Sequence, residues 1–255
     1  MLENFNKVVK GAVIGDLHLP FQDDSALALV EKFLKDFQPD ILVINGDLLD
    51  CFQISKYNRV PQKGMWFEDE INLGISVLSD IRQICPNAEI HLVEGNHEMR
   101  LRTYLIMKAP ELYYSLSIPD KLQLEKFKIQ WHGVDEYLSK FADNYIEIKG
   151  LLIGHFDKIN QYAAYTAKNL VEKTKASLIQ SHTHRLGVYN SRAISGKIYT
   201  GVENGCLCSM KAVYGGHKDW MTGFSIIYWT EDDYFIYPLM IKNNTLIYSD
   251  KIYET

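Results

Sequence analysis

Hydrophobic residues in the first hundred positions follow two alternating spacings. Short β-branched runs at 8–14, 41–44 and 89–94 have strand length, and each breaks off at a glycine: Gly15, Asn45-Gly46 and Gly95-Asn96. Between them, Leu27, Val30, Leu34 and Phe37 share one helical face of residues 25–37. Ile71, Ile75, Leu78 and Ile81 do the same within 67–85. Asp23, Asp24 and Ser25 are candidate N-caps, and Pro39-Asp40 and Pro86-Asn87 stop the two helices. A βαβαβ order predicts parallel strands covered by helices on both faces.

The second half changes character. Residues 145–153 and 177–180 read as strands, with a helix near 162–173 between them. After Arg192 the segments KIYTGV, FSIIYW, YFIYPLMI and TLIYS all read as strands, which predicts a mostly antiparallel closing sheet. The expected result is two packed sheets with helices outside, the late tyrosines packing the second sheet. No internal repeat or low-complexity linker interrupts the pattern.

Composition adds bounds. At 255 residues and 47% hydrophobic, the chain can bury a real core; we expect one domain over 1–255 with no separate cap. No run of about 18 uncharged apolar residues exists, so a membrane span is not expected. With no apolar leader, the expected location is intracellular and cytoplasmic. Cys51, Cys85, Cys206 and Cys208 form no CxxC pair, and read as buried thiols. The net charge of −5 argues against a broad electrostatic grip on nucleic acid while leaving room for a local basic groove.

The chemistry gathers where the strands end. Asp16-Leu17-His18 follows the first run, Asp47-Leu48-Leu49-Asp50 the second, and Asn96-His97-Glu98 the third. His155 follows LLIG, and His182-Thr183-His184 follows SLIQ-Ser181. Five of the eight histidines therefore lie at carboxyl ends of strands, where open α/β sheets bind ligands. Imidazoles mixed with carboxylates suit a pair of divalent ions, and a carboxylate such as Asp47 has two oxygens with which to bridge them. In an extended H-x-H segment alternate residues point the same way, so His182 and His184 would both face the ions. A turn at Gly95-Asn96 does not require His97, which makes that histidine a candidate for chemistry. His91, His132 and His217 read as packing or loop residues.

The ordered set DLH, GDLLD, GNHE, GH and HTH over residues 16–184 resembles the calcineurin-like metallophosphoesterase superfamily. The resemblance implies a four-layered αββα sandwich, an α/β fold of two mixed sheets flanked by helices. It implies Asp16, His18, Asp47 and His184 on one metal, and Asp47, Asn96, His155 and His182 on the other. His97 becomes the catalytic residue, supported by Asp50 or Glu98. Ser181 departs from the family's usual glycine before H-x-H. The cofactors implied are two divalent metal ions, with manganese first and iron, zinc, nickel or cobalt as alternatives.

The activity implied is hydrolysis of phosphate mono- or diesters by a metal-bridged hydroxide. Arg100 and Arg185, and more weakly Arg102, are candidate contacts to the substrate phosphate. The loop at 51–70 mixes Lys56, Tyr57, Arg59 and Trp66, which suits a nucleotide or nucleic-acid phosphodiester. DNA is thus a candidate partner, and a nuclease of the DNA-repair branch is one alternative. A protein phosphatase is a second, weakened by Leu19 and Cys51 where that branch carries glycine and arginine. An inactive scaffold of the same fold is a third, weakened by the presence of His97 and every ligand.

Overall fold

The computed structural model describes residues 8–56, 65–134, 144–210 and 219–255. Tyr57, Arg59 and His217 lie outside the described residues.

Strands β1 (Val9–Ile14), β2 (Ile41–Asn45) and β3 (Glu89–Val93) alternate with helices α1 (Asp24–Phe37) and α2 (Phe67–Ile84). Asp23 caps α1, its Oδ1 accepting the Ala26 amide at 3.1 Å. Then come α3 (Met99–Lys108), the single turn α4 (Ile118–Lys121), β4 (Ile129–His132), β5 (Tyr145–Ile148), β6 (Leu151–Gly154) and α5 (Tyr165–Thr174). The chain continues through β7 (Ser177–Gln180), β8 (Leu186–Arg192), β9 (Ile198–Asn204), β10 (Gly223–Trp229), β11 (Tyr234–Met240), β12 (Thr245–Tyr248) and β13 (Lys251–Glu254).

Two mixed sheets result, with strand orders β11-β10-β1-β2-β3-β4 and β5-β6-β7-β9-β8. The period of two along each strand separates the layers. Val13, Val43 and Val93 face the second sheet, where they meet Ile153, Ile179 and Val202. Their neighbours Ile14, Ile44 and Leu92 face the other way, into a core with Val30, Phe33 and Leu78 of α1 and α2. Leu152 and Leu178 turn outward from the second sheet onto Leu170 and Val171 of α5. The order is helix, sheet, sheet, helix.

Several expectations change. Residues 145–153 are a hairpin, not one strand: Lys149 (φ 48°) and Gly150 (φ 79°) form a two-residue turn between β5 and β6. The late strands do not close a second antiparallel sheet. The crossovers leave one edge of β1 open, and β10 pairs there antiparallel with β11 outside it. The second sheet has a parallel centre instead, β6-β7-β9. Late tyrosines follow the same shift. Tyr248 and Tyr253 of the β12–β13 hairpin pack on Phe33 of α1 at 5.3 and 5.5 Å between ring centroids. Strands β4 and β8 have too few apolar residues in sequence to stand out, because each lies at a sheet edge.

Among the described residues no helix is long and apolar enough to cross a membrane. All four cysteines are buried free thiols.

Glu70 of α2 is buried and accepts the amide of Cys51 through Oε1. Burial, reinforced by the Asp50 charge, pushes its carboxyl up to about 8 from 4.5. The folded chain therefore holds a proton there that the unfolded chain loses above 4.5, so this group's contribution to stability falls as pH rises from 4.5 to 8. Glu70→Gln keeps the acceptor and cannot ionise. Urea midpoints at pH 5 and pH 8 should fall less for the variant than for the parent; equal falls would show that Glu70 is ionised in the fold.

Candidate metal centre

Parallel pairing of β1, β2 and β3, and of β6 and β7, brings their carboxyl ends to one side of the sandwich. The chain must leave each strand sharply to keep its polar side chain over that edge. Asp16, His18, Asp47, His182 and His184 all have positive φ, between 50° and 72°. Asp and His tolerate that region better than most residues, yet its concentration at these positions marks stored strain. The H-x-H segment is consequently not extended as expected. Its two histidines reach the same cluster because each sits at a left-handed bend, not because side chains alternate along a strand.

Glycine is required beside them. A Cβ on Gly95 would lie 2.1 Å from Asp47 Oδ1, and one on Gly46 would lie 2.4 Å from His155 Nδ1. Ser181 needs no such freedom; its hydroxyl lies 3.0 Å from Asn45 Nδ2, which donates to it.

The side chains form two sets. Asp16, His18, Asp47 and His184 offer ligand atoms that all lie within 4.8 Å of one another, and so do Asp47, His155 and His182. Asp47 belongs to both. Its Oδ2 lies 3.2 Å from His155 Nε2 and 3.5 Å from His18 Nε2. Asn96 joins the second set through Oδ1, 3.2 Å from His155 Nε2. In the first set His184 Nε2 lies 3.3 Å from Asp16 Oδ1 and 3.1 Å from His18 Nε2.

Outer contacts turn each ring inward. His155 Nδ1 donates to the Asn45 carbonyl at 3.0 Å, His18 Nδ1 lies 3.2 Å from Asp50 Oδ2, and His184 Nδ1 lies 3.6 Å from Cys208 Sγ. Each ring is held through Nδ1, leaving Nε2 to face the cluster, the arrangement of a metal-ligating histidine.

His97 stands beside both sets and forms a third group with His18 and Asp50, their ligand atoms within 4.8 Å of one another. Its Nδ1 lies 2.9 Å from the Asp50 carbonyl and 3.4 Å from Asp50 Oδ2, and its Nε2 accepts from Arg100 Nη2 at 2.9 Å. Asp50 thus supports His97 and His18 together. Glu98 is engaged elsewhere. It accepts the amides of Asp47 (3.0 Å), Leu49 (2.9 Å) and Gly95 (2.8 Å), tying the second strand's loop to the third's.

The model for calcineurin-like phosphoesterases matches residues 10–218, a span that holds every one of these side chains. The chain belongs to this family.

Among curated relatives, this calcineurin-like phosphoesterase is 29% identical over 243 residues to the Gene 54 protein of Mycobacterium phage L5, covering 90% of this chain and 91% of that protein. The Gene 54 protein of Mycobacterium phage D29 is 28% identical over 242 residues, with the same coverage. Vacuolar Protein Sorting 29 of Cryptosporidium parvum superposes with a TM-score of 0.47 at 13% identity, over 97% of this chain and 99% of that one.

The family is dimetal-dependent, and the clustered residues fit two ions. Asp16 and Asp47 are 0% and 1% exposed, and buried carboxylates need compensating positive charge. Nearby imidazoles supply it by holding protons. Burial disfavours a charge on His155, but Asp47 outweighs it and raises the ring to about 9. Asp16 likewise outweighs burial at His184, which rises to about 10. Burial and the neighbouring His155 push His182 down to about 4. Divalent cations compete with such protons, so loading this centre releases them.

Several participants carry no motif of their own in sequence. Asn45, one residue before Gly46, donates through Nδ2 to the Gly154 carbonyl at 2.9 Å, and Asn204 at the end of β9 donates to the Val13 carbonyl at 3.1 Å; both stitch the two sheets beneath the centre. Trp220 lies over His184 at 4.2 Å between centroids. Cys208, a plain buried thiol by sequence, backs His184, and the hydrogen bond from Cys206 and the charge of His184 lower it to about 5 against burial.

The arginines divide. Arg100 reaches the centre through His97 and donates to the Asp50 carbonyl at 2.7 Å. Arg102 instead grips Glu94 with bonds of 3.0 and 3.2 Å. Arg185 is ion-paired with Asp219 at 2.7 Å and donates to the Asn160 carbonyl. Its place next to His184 in sequence does not direct its side chain into the cluster. His91 and His132 bond to each other at 3.0 Å, outside both sets.

Proposed function

We propose that this chain hydrolyses phosphate esters with two bound divalent metals, and that its substrate is a phosphodiester of the nucleotide or nucleic-acid class. The observation that carries the reading is the pair of ligand sets sharing Asp47, with His97 against both. Asp16, His18, Asp47 and His184 would hold one ion, and Asp47, Asn96, His155 and His182 the other. Bound there, the ions supply the Lewis acidity that activates water and neutralises phosphate charge.

The chain's own residues do the rest. Arg100 is a forked donor beside His97, and an arriving phosphate competes with His97 Nε2 for its Nη2. His97 faces the same point through Nε2, where it can take a proton from the attacking water and pass it to the leaving oxygen. Asp50 holds that ring through Nδ1 and keeps it in one orientation. Water adds to phosphorus, the ester P–O bond breaks, and the proton that the water gives up ends on the leaving alcohol.

His97 and all seven candidate ligands converge, which favours an enzyme over an inactive scaffold. With manganese added, the protein should hydrolyse a chromogenic bis-aryl phosphate, and a chelator should abolish the activity reversibly. No turnover with any of manganese, iron, zinc, nickel or cobalt would favour the scaffold. Faster release from phosphopeptides than from diesters would favour the protein phosphatase, and cleavage of duplex DNA the repair-type nuclease.

A further inference from the structure

A groove of about 480 Å3 opens beside the candidate centre. One wall is the outward face of α3, with Met99, Arg100, Thr103, Tyr104, Met107 and Lys108; the other is the segment from Ile54 to Lys56. Asn96 lines the inner end, so the groove and the metal centre are continuous. The opposite face of α3 carries Leu101 and Leu105, both buried. The helix is therefore anchored by one stripe and presents the other to the groove.

The presented stripe has an order. Arg100, Tyr104 and Lys108 succeed one another at four-residue steps, so they stack along one side of the helix. The step from Arg100 to Lys108 advances about 12 Å along the axis. A cation sits at each end, with an aromatic ring between. Lys56 adds a third cation from the facing wall. Met99 and Met107 flank the ring with apolar, adaptable surface. Tyr104 is 40% exposed and Met107 63%, a large apolar display for a helix that packs well on its other side.

This alternation of positive charge and ring face matches one ligand chemistry. Single-stranded nucleic acid alternates phosphates with flat bases, and proteins hold it with cationic grooves and stacking platforms. Duplex DNA would hide the base faces, and a phosphopeptide offers no second phosphate at that spacing. We propose that the α3 groove is the substrate-binding channel for single-stranded nucleic acid, with the scissile phosphate at Arg100, the adjoining base on Tyr104 and a phosphate about two nucleotides further along the strand at Lys108. The proposal rests on the hydrolase reading for the identity of the scissile end. The binding itself can be measured without it. The chain's net charge of −5 does not oppose it, because these cations are gathered along one groove.

Binding of a fluorescein-labelled oligo(dT) octamer is followed by anisotropy with calcium in place of manganese, across a salt series. Tyr104→Ala should weaken binding at least about 5-fold, the lower range for one stacked base. Lys108→Ala should reduce the slope of log affinity against log salt by about 0.7, the value of one phosphate contact on a single strand. With manganese, both variants should lose kcat/KM on the octamer, mainly through KM. Tyr104→Phe should restore the octamer values, because stacking needs only the ring.

Unchanged octamer binding in both variants overturns the channel, whatever the parent hydrolyses. Equal affinity of the parent for an octamer duplex overturns it as well. If the parent turns over no ester while Tyr104→Ala still loses octamer affinity, the channel stands and the hydrolase reading fails.

Discussion

Asp47→Asn should leave the protein folded and unable to hold two divalent ions. Asparagine preserves size and one carbonyl oxygen but removes the negative charge and the second ligand oxygen. Asp47 is the residue common to both ligand sets, and its Oδ2 lies 3.2 Å from His155 and 3.5 Å from His18. Its charge is held firmly: burial opposes ionisation, but His155 and His97 outweigh it and keep the carboxyl well below its usual range. Replacing a group that merely orients a ligand costs about 10- to 100-fold in metal affinity. Loss of a bridging ligand should exceed about 100-fold, read by titration calorimetry and elemental analysis, with hydrolysis falling in parallel. Circular dichroism should be unchanged. A variant that still binds two ions at the parent's affinity would remove Asp47 from the bridging position.

The second large effect separates chemistry from metal binding. His97→Ala should retain both ions and turn over at least about 10²-fold more slowly, the usual contribution of a positioned acid or base. His97 touches the Asp50 carbonyl and Arg100; it groups with His18 and Asp50 and stands outside the two sets that share Asp47. Burial lowers its pKa against the pull of Asp47 and Asp50, so the ring is neutral near pH 7 and able to exchange a proton. The decisive comparison is elemental content beside kcat. Metal loss in His97→Ala would make it a ligand and reverse the division of roles. Asp50→Asn should slow turnover as His97→Ala does and also weaken metal binding about 10- to 100-fold, because Asp50 holds both His97 and the candidate ligand His18.

The polar ends of the strands could be read directly because each lies next to its motif. Asp16, His18, Asp47, Asn96, His97, His155, His182 and His184 were all visible as residue types placed where βαβ chains collect ligands. The family followed from their order, and the match over residues 10–218 supports it. Helix α1 was equally legible, since a cap, an apolar stripe and a following proline all agree on its limits.

Side-chain direction was a different matter. Arg185 follows a predicted ligand yet pairs with Asp219, while Arg100, four residues after Asn96, turns onto His97. Adjacency in sequence sets where a Cα lies and leaves the rotamer to its neighbours. Asp50 and Glu98 were interchangeable on paper. Only the approach of the second and third strand loops gives Glu98 three backbone amides to accept and leaves Asp50 to the imidazoles. Cys208, Trp220, Asn45 and Asn204 carry no local signal, because their roles exist only across contacts between distant segments.

By itself, the sequence determined which strands and helices form in the first half, where each strand stops, and the inventory of candidate ligands and catalytic groups. These depend on local periodicity and on residue chemistry, both of which are written along the chain. Tertiary structure decided that β10 and β11 complete the first sheet, which imidazole each carboxylate serves, and that Arg100, Tyr104 and Lys108 line a groove opening from the centre. Those outcomes depend on which open edge or vacant wall a segment meets, and that is settled only when distant parts of the chain pack together.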